Sequence, residues 1–153
     1  MNLTYGICST DEDMEAAWEV CIKAFENIPY SFSVPKQHFI RCYKDSTLLI
    51  SKDENKVVGV LLCSVEKDAI LRVLIGAVLS EYRSLGITEE LGALLREELA
   101  KDTRGAKGLE MLILHFKKES ADRFLVDKLG YRWVGQKRAP GSKTLLDIYY
   151  RDL

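Results

Sequence analysis

The stretch Ala77-Val78-Leu79-Ser80-Glu81-Tyr82-Arg83-Ser84-Leu85-Gly86-Ile87-Thr88 joins an almost continuously apolar run, Ala69 to Leu79, to a segment in which Ile87, Leu91, Leu94, Leu95 and Leu99 recur at helical spacing. The apolar run predicts a central strand covered on both faces, and the spacing predicts a helix from Thr88 to about Asp102, closed by Thr103-Arg104-Gly105. Leu109 to Phe116 then reads as another buried strand, and a strand-helix-strand succession without a tight turn predicts a right-handed parallel crossover, a βαβ unit. At its junction the first amides of the helix lack intrahelical partners. The helix dipole adds about half a positive charge there, so main chain alone can hold a pyrophosphate. Gly86 would let the backbone come close, although crossover geometry by itself can also call for such a glycine. Neither G-x-x-x-x-G-K-[ST] nor G-x-G-x-x-G occurs, which removes the P-loop and dinucleotide classes.

Towards the N-terminus, Leu3 to Cys8 predicts a strand, and Thr10 with Asp13 three residues on has the spacing of a capping box. In the helix that follows, Met14, Ala17, Trp18, Cys21 and Phe25 fall on one face and form a core stripe. Glu26 to Pro35 holds Pro29, Tyr30, Phe32 and Pro35, an irregular segment that either lines a substrate site or covers the core as a connector. A short helix from Lys36 to Tyr43 precedes strands Thr47 to Ser51 and Lys56 to Val65, joined as a hairpin by Lys52-Asp53-Glu54-Asn55. After the polar turn Glu66-Lys67-Asp68, the central run is a further antiparallel neighbour, so the sheet is mixed. Towards the C-terminus, Ala121, Phe124, Leu125 and Lys128 mark one helix face, and Gly130 stands where a left-handed residue ends the helix. Strands Tyr131 to Val134 and Leu145 to Tyr150 flank a polar loop, Gly135 to Ser142. The expectation is one α+β domain over residues 1–153.

Composition narrows the function classes. The chain is 47% hydrophobic and 29% charged, an ordinary globular balance. Lys and Arg number 22 against 23 Asp and Glu, so no excess of cations supports nucleic-acid binding. The N-terminus Met1 to Ile7 lacks a basic region followed by an apolar run, and no stretch approaches the roughly 20 apolar residues that span a bilayer, so no membrane partner and a cytoplasmic location are expected. Cys8, Cys21, Cys42 and Cys63 form no C-x-x-C pair, and His38 and His115 complete no zinc-like spacing, so no metal is expected. The cysteines read as reduced small hydrophobes, with a catalytic thiol as the lesser alternative.

Arg83, Gly86 and Thr88 occupy the fixed positions of a motif written [QR]-x-x-G-x-[GA] after a strand ending in Ala-Val, here Ala77-Val78. The segment resembles the acyl-CoA motif of the GNAT superfamily of N-acetyltransferases, with Thr88 replacing Gly or Ala and Ser80 standing where the family often has Pro. Phe124-Leu125-Val126-Asp127-Lys128-Leu129-Gly130-Tyr131 is similar to the family's helix ending in Lys-Leu-Gly-aromatic, and the order of elements agrees from about residue 3 to residue 150. The resemblance implies a mixed, mostly antiparallel sheet of about seven strands flanked by helices, with the parallel βαβ unit at the acyl-CoA site. It implies acetyl-CoA as acyl donor, held by Arg83, Ser84, Leu85, Gly86, Ile87 and Thr88, with Ala77 and Val78 bonding the pantetheine arm in a gap between the fourth and fifth strands. The polarised acyl carbonyl would lie near Val78, and a primary amine of a small molecule or protein would attack it directly. Many relatives are homodimers, so a homodimer is a modest expectation.

Proton transfer is where this chain departs from the family. The family's tyrosine acid falls at Val126, and its fourth-strand glutamate falls in Leu71-Arg72-Val73, which holds no carboxylate. Arg72 is instead a candidate for an anionic substrate group. His115 is the one histidine near the implied gap, and histidine ordinarily titrates near neutrality, so it is the candidate catalytic group, with a packing or solvent-facing role as the alternative. Tyr82 reads as packing, while one of Tyr149 and Tyr150 can border the acceptor. Glu26 to Pro35 and Gln136 to Thr144 would carry acceptor choice, Glu26 favouring an amine and Lys137, Arg138 and Lys143 an anion. The rival class is a catalytically degenerate acyl-CoA sensor or interaction module of the same fold.

Overall fold

A computed structural model describes residues 1–26, 35–65, 67–101, 106–138 and 143–153. The predicted acceptor segment around Pro29, Tyr30 and Phe32, the turn residue Glu66, the helix closure Thr103-Arg104-Gly105 and the loop tip 139–142 lie outside the described residues.

Seven strands form one sheet in the order β1-β2-β3-β4-β5-β7-β6. They are β1 Leu3–Ile7, β2 Leu48–Asp53, β3 Lys56–Val65, β4 Ile70–Val78, β5 Gly108–Leu114, β6 Arg132–Arg138 and β7 Leu145–Asp152. One pair is parallel, β4 with β5, as the crossover reading predicts; its register runs from Ile70 opposite Gly108 to Val73 opposite Met111, while β4 itself continues to Val78. The helices are α1 Asp11–Phe25, α2 Lys36–Lys44, α3 Ile87–Lys101 and the short α4 Lys118–Ala121.

The chain divides into two compact units, Met1–Ser64 with Leu74–Thr103, and Val65–Val73 with Arg104–Leu153. In the first unit, Thr10 caps α1 by accepting the Asp13 amide at 3.1 Å, as its spacing predicts. The reciprocal half of the box is absent, because the Asp13 carboxylate pairs with Lys52 on β2 at 3.0 Å. Met14, Ala17, Val20 and Cys21 are the buried stripe of α1, and Trp18 meets buried Phe39 of α2 edge-on at 5.5 Å. Helix α3 seats Ile87, Leu91 and Leu95 in the core. Gly59 on β3 makes that seat: a Cβ there would stand 2.6 Å from Ile87 Cγ2.

In the second unit β7 pairs with both β5 and β6. Strand β6 runs through Arg138, so the polar loop predicted from Gly135 is ladder for its first four residues, Gly135 to Arg138. Pairing with β7 overrides the weak strand preference of that sequence. The register shifts between Trp133 and Gly135, leaving Val134 as a bulge, with Gly135 at φ 145°. The fourth helix differs from a plain amphipathic one: after Ala121 it widens into a π turn, Asp122–Val126, in which the Asp127 amide reaches back to the Asp122 carbonyl at 3.2 Å. Gly130 ends the segment at φ 75°, as its position predicts.

Candidate functional site

The predicted phosphate loop lies wholly in the first unit. At the end of β4 the Leu79 amide donates to the Val58 carbonyl at 3.0 Å, and the chain then makes a single 3-10 turn, Ser80–Tyr82. The Tyr82 hydroxyl donates to Asp53 at 2.8 Å, and that carboxylate also accepts the Asn2 amide at 3.0 Å. These two donors hold the Asp53 carboxyl below its usual range, the amide contributing most. Tyr82 is therefore a tether for the loop, in keeping with its reading as packing.

Beyond Tyr82, Arg83 is extended and exposed, Ser84 adopts φ 65°, and Gly86 adopts φ 79°. Two left-handed residues separated by Leu85 turn the backbone sharply into α3. The Gly86 carbonyl accepts the Glu90 amide at 3.0 Å, the first bond of the helix, so Gly86 is its cap. A glycine cap has no side chain to occupy the amides that follow, whereas Thr10 fills that role on α1. A Cβ at Gly86 would stand 3.2 Å from a carboxylate oxygen of Glu89, so that side chain would have to give by a few tenths of an ångström. Ala77 is buried and Val78 half-buried at the end of β4.

The second unit gathers a different set of polar groups on one face of the sheet. His115 follows β5 directly and opens a short 3-10 turn. Its Nδ1 lies 2.8 Å from Oδ2 of Asp147 on β7, a carboxylate with no solvent exposure. Trp133 Nε1 and Gln136 Nε2 donate to the other oxygen of Asp147 at 2.9 and 3.1 Å. Burial alone would raise the Asp147 pKa, but the donors from Trp133, His115 and Gln136 outweigh it, and the carboxyl titrates below its usual range. Trp133 and Gln136 are three apart on β6 and share a face only because the bulge at Val134 shifts the alternation by one residue.

Beside this group the Tyr149 hydroxyl donates to Asp122 at 2.5 Å, and Lys118 pairs with the same carboxylate at 2.8 Å while lying over the Trp133 ring. Burial, reinforced by Asp122, pushes the Tyr149 phenol far above its usual range. Tyr149 is packed inward, with its hydroxyl donated to Asp122. Tyr150 faces Arg132, whose guanidinium lies 4.9 Å from the ring centre.

Arg72 departs from its predicted role. Its guanidinium donates twice to Asp68, at 2.8 and 3.2 Å, and once to Glu110 at 3.1 Å, so an anionic substrate would have to displace two carboxylates. Glu110 comes from β5, opposite Arg72 in the parallel register, and not from the fourth strand where the family keeps its carboxylate. Asp147, Trp133 and Asp122 were not singled out from the sequence, and Gln136 was read only as the start of an acceptor loop. The available signal was Leu145-Leu146-Asp147-Ile148-Tyr149, a single acid in an otherwise apolar strand. Among the described residues no group of three or more His, Cys, Asp and Glu is placed to hold a metal ion, and no helix is long and apolar enough to cross a membrane.

No protein-family model matches the sequence, and no curated protein sequence matches it. Solved structures do. The NatC complex bound to Gag peptide and CoA superposes with a TM-score of 0.78 at 16% identity, covering 100% of this chain and 99% of that one. Ard1 from Thermoplasma volcanium gives 0.77 at 13%, covering 99% and 97%. The ribosomal-protein-S18-alanine N-acetyltransferase from Escherichia coli gives 0.74 at 18%, covering 99% and 94%.

The fold is that of the GNAT N-acetyltransferases. Within the GNAT fold, the seven-stranded, mostly antiparallel sheet with its one parallel pair matches the predicted architecture. At these identities the likeness establishes the GNAT architecture and leaves the chemistry to the residues themselves.

Proposed function

We propose that this chain is an acyl-CoA-dependent N-acyltransferase, moving an acetyl or other short acyl group to a primary amine. The observation that carries the reading is the glycine cap of α3, with φ 79° at Gly86 and no side chain of the cap residue itself to bond the first helical amides. That surface fits a pyrophosphate through main-chain amides at Ile87 and Thr88, with Arg83 and Ser84 flanking it. Ala77 and Val78 offer main chain to the pantetheine arm. The bound thioester supplies the acyl carbon and a thiolate leaving group.

His115 accepts the proton that the acceptor must lose before it can attack. A peptide α-amine is ordinarily less basic than a lysine side chain and gives up its proton more readily, so an α-amine is the favoured acceptor, in line with the peptide bound in the NatC structure. The rival reading, an acyl-CoA sensor, is favoured by Val126 at the family's tyrosine position and by the donation of the Tyr149 hydroxyl to Asp122.

Calorimetric titration with acetyl-CoA, followed by thiol release over a panel of peptides and amines, tests both. Binding with release on peptides supports the transferase, and binding without release on any amine supports the sensor. Gly86→Glu, which sets a carboxylate against the pyrophosphate, is expected to raise the acetyl-CoA Kd at least about tenfold, near 1.4 kcal/mol, with the cooperative unfolding transition retained. An unchanged Kd would overturn this placement of the donor.

A further inference from the structure

Asp147 is a charged group with zero exposure on a strand that is otherwise apolar or aromatic over Leu145 to Tyr150. A carboxylate so placed is retained only where every lone pair facing the protein has a donor. Here it accepts from Trp133, Gln136 and the His115 ring, and the β6 bulge at Val134 is what brings the first two to it.

The ring nitrogen facing Asp147 has two polar neighbours, the carboxylate Oδ2 at 2.8 Å and the Gln136 amide nitrogen at 3.1 Å. The carboxylate, as the nearer neighbour, decides which of them Nδ1 bonds. An ionised carboxylate is acceptor-only, so a bare Nδ1 lone pair would set two acceptors against each other at 2.8 Å. Nδ1 must therefore carry the hydrogen, and the Gln136 amide donates to Asp147 Oδ1. Nε2 is left as the ring's basic nitrogen, on a side chain that is 52% exposed.

We propose that Asp147 is a positioning residue that fixes His115 in the Nδ1–H tautomer, with Trp133 and Gln136 as its struts, so that Nε2 takes the proton of the acceptor amine. This inference rests on the transferase reading for its consequence and on the hydrogen-bond geometry for its substance. In the step itself an N–H bond of the acceptor ammonium breaks, its electron pair stays on the amine nitrogen, and the proton moves to Nε2. The imidazolium so formed is countered by the Asp147 carboxylate, as a buried acid orients a catalytic histidine in hydrolases.

Two-bond proton–nitrogen correlation spectra of ¹⁵N-histidine-labelled full chain read the tautomer directly, and His38→Gln leaves His115 as the one signal. The expected wild-type spectrum shows a protonated Nδ1 and a bare Nε2. Asp147→Asn, whose amide can donate to Nδ1, is expected to invert the tautomer. It should also lower kcat for thiol release by ~10²-fold or more, leaving KM for acetyl-CoA within about twofold. A wild-type signal with the proton on Nε2 overturns the proposal, as does an Asp147→Asn chain that inverts the tautomer yet keeps its kcat. Should Asp147→Asn fail to fold, Trp133→Phe removes one strut and keeps the ring; it is expected to retain the Nδ1–H tautomer with a several-fold lower kcat, and an unchanged kcat counts against the struts. A wild type that shows the Nδ1–H tautomer but releases no thiol on any amine sinks the transferase reading while upholding the Asp147 assignment.

Discussion

Ser51 on β2 is fully buried, and its hydroxyl has no hydrogen-bond partner. An unmatched buried hydroxyl costs about 1–3 kcal/mol relative to one that is paired, so a side chain without it loses nothing. Ser51→Ala is expected to leave stability unchanged or raise it by up to ~1 kcal/mol in urea unfolding, and a loss larger than that would show that the hydroxyl is bonded. At the same scale lies the contrast between the two candidate sites. Gly86 was legible in the sequence because its role is set by local backbone conformation, which a motif of six residues carries. Asp147 was not, because its three donors come from residues 14, 11 and 32 positions away and meet it only across the strands.

At the scale of elements, helix α3 is held close to the sheet by a missing methyl. A Cβ on Gly59 would meet Ile87 Cγ2 at 2.6 Å and Ser51 Cβ at 3.3 Å, so Gly59→Ala must lift the first turn of α3. The expected cost is about 1–3 kcal/mol from overpacking, accompanied by weaker acetyl-CoA binding because the same turn carries Gly86. A double-mutant cycle with Ile87→Ala checks the cause: the pair should be less destabilised than the sum of the singles by about 1 kcal/mol, and strict additivity would place the strain elsewhere. Hydrophobic spacing predicted this helix and its buried face, but not the depth at which it seats. Likewise strand β6 was ended at Val134, whereas its pairing with β7 carries it past a bulge to Arg138, because the partner strand's register and not β6 itself sets its extent.

Across the whole chain, all four cysteines are buried and none is in a disulfide. Burial pushes the Cys21 thiol from 9.0 to about 12. The sign of the linkage follows from that rise. The folded state holds the proton more tightly than the unfolded chain, so this contribution is complete below about pH 9 and is lost as pH climbs through about 12. Native protein should therefore react negligibly with an aromatic disulfide reagent at pH 8, release four thiols on denaturation, and show a melting temperature that falls steadily above pH 9. Reaction of one thiol at full rate in the native state would revive the catalytic-cysteine alternative.

By itself the sequence determined the strand and helix order, the core stripes, the α+β class and the loop around Gly86, because each is written in spacings of a few residues that fix backbone conformation and one-sided burial. Only the tertiary structure decided that Arg72 is held by Asp68 and Glu110, that the Tyr149 hydroxyl donates to Asp122, and that His115 faces a buried carboxylate. These are properties of register: which side chains oppose one another depends on how strands distant in the sequence align, and a single bulged residue reverses which of them share a face.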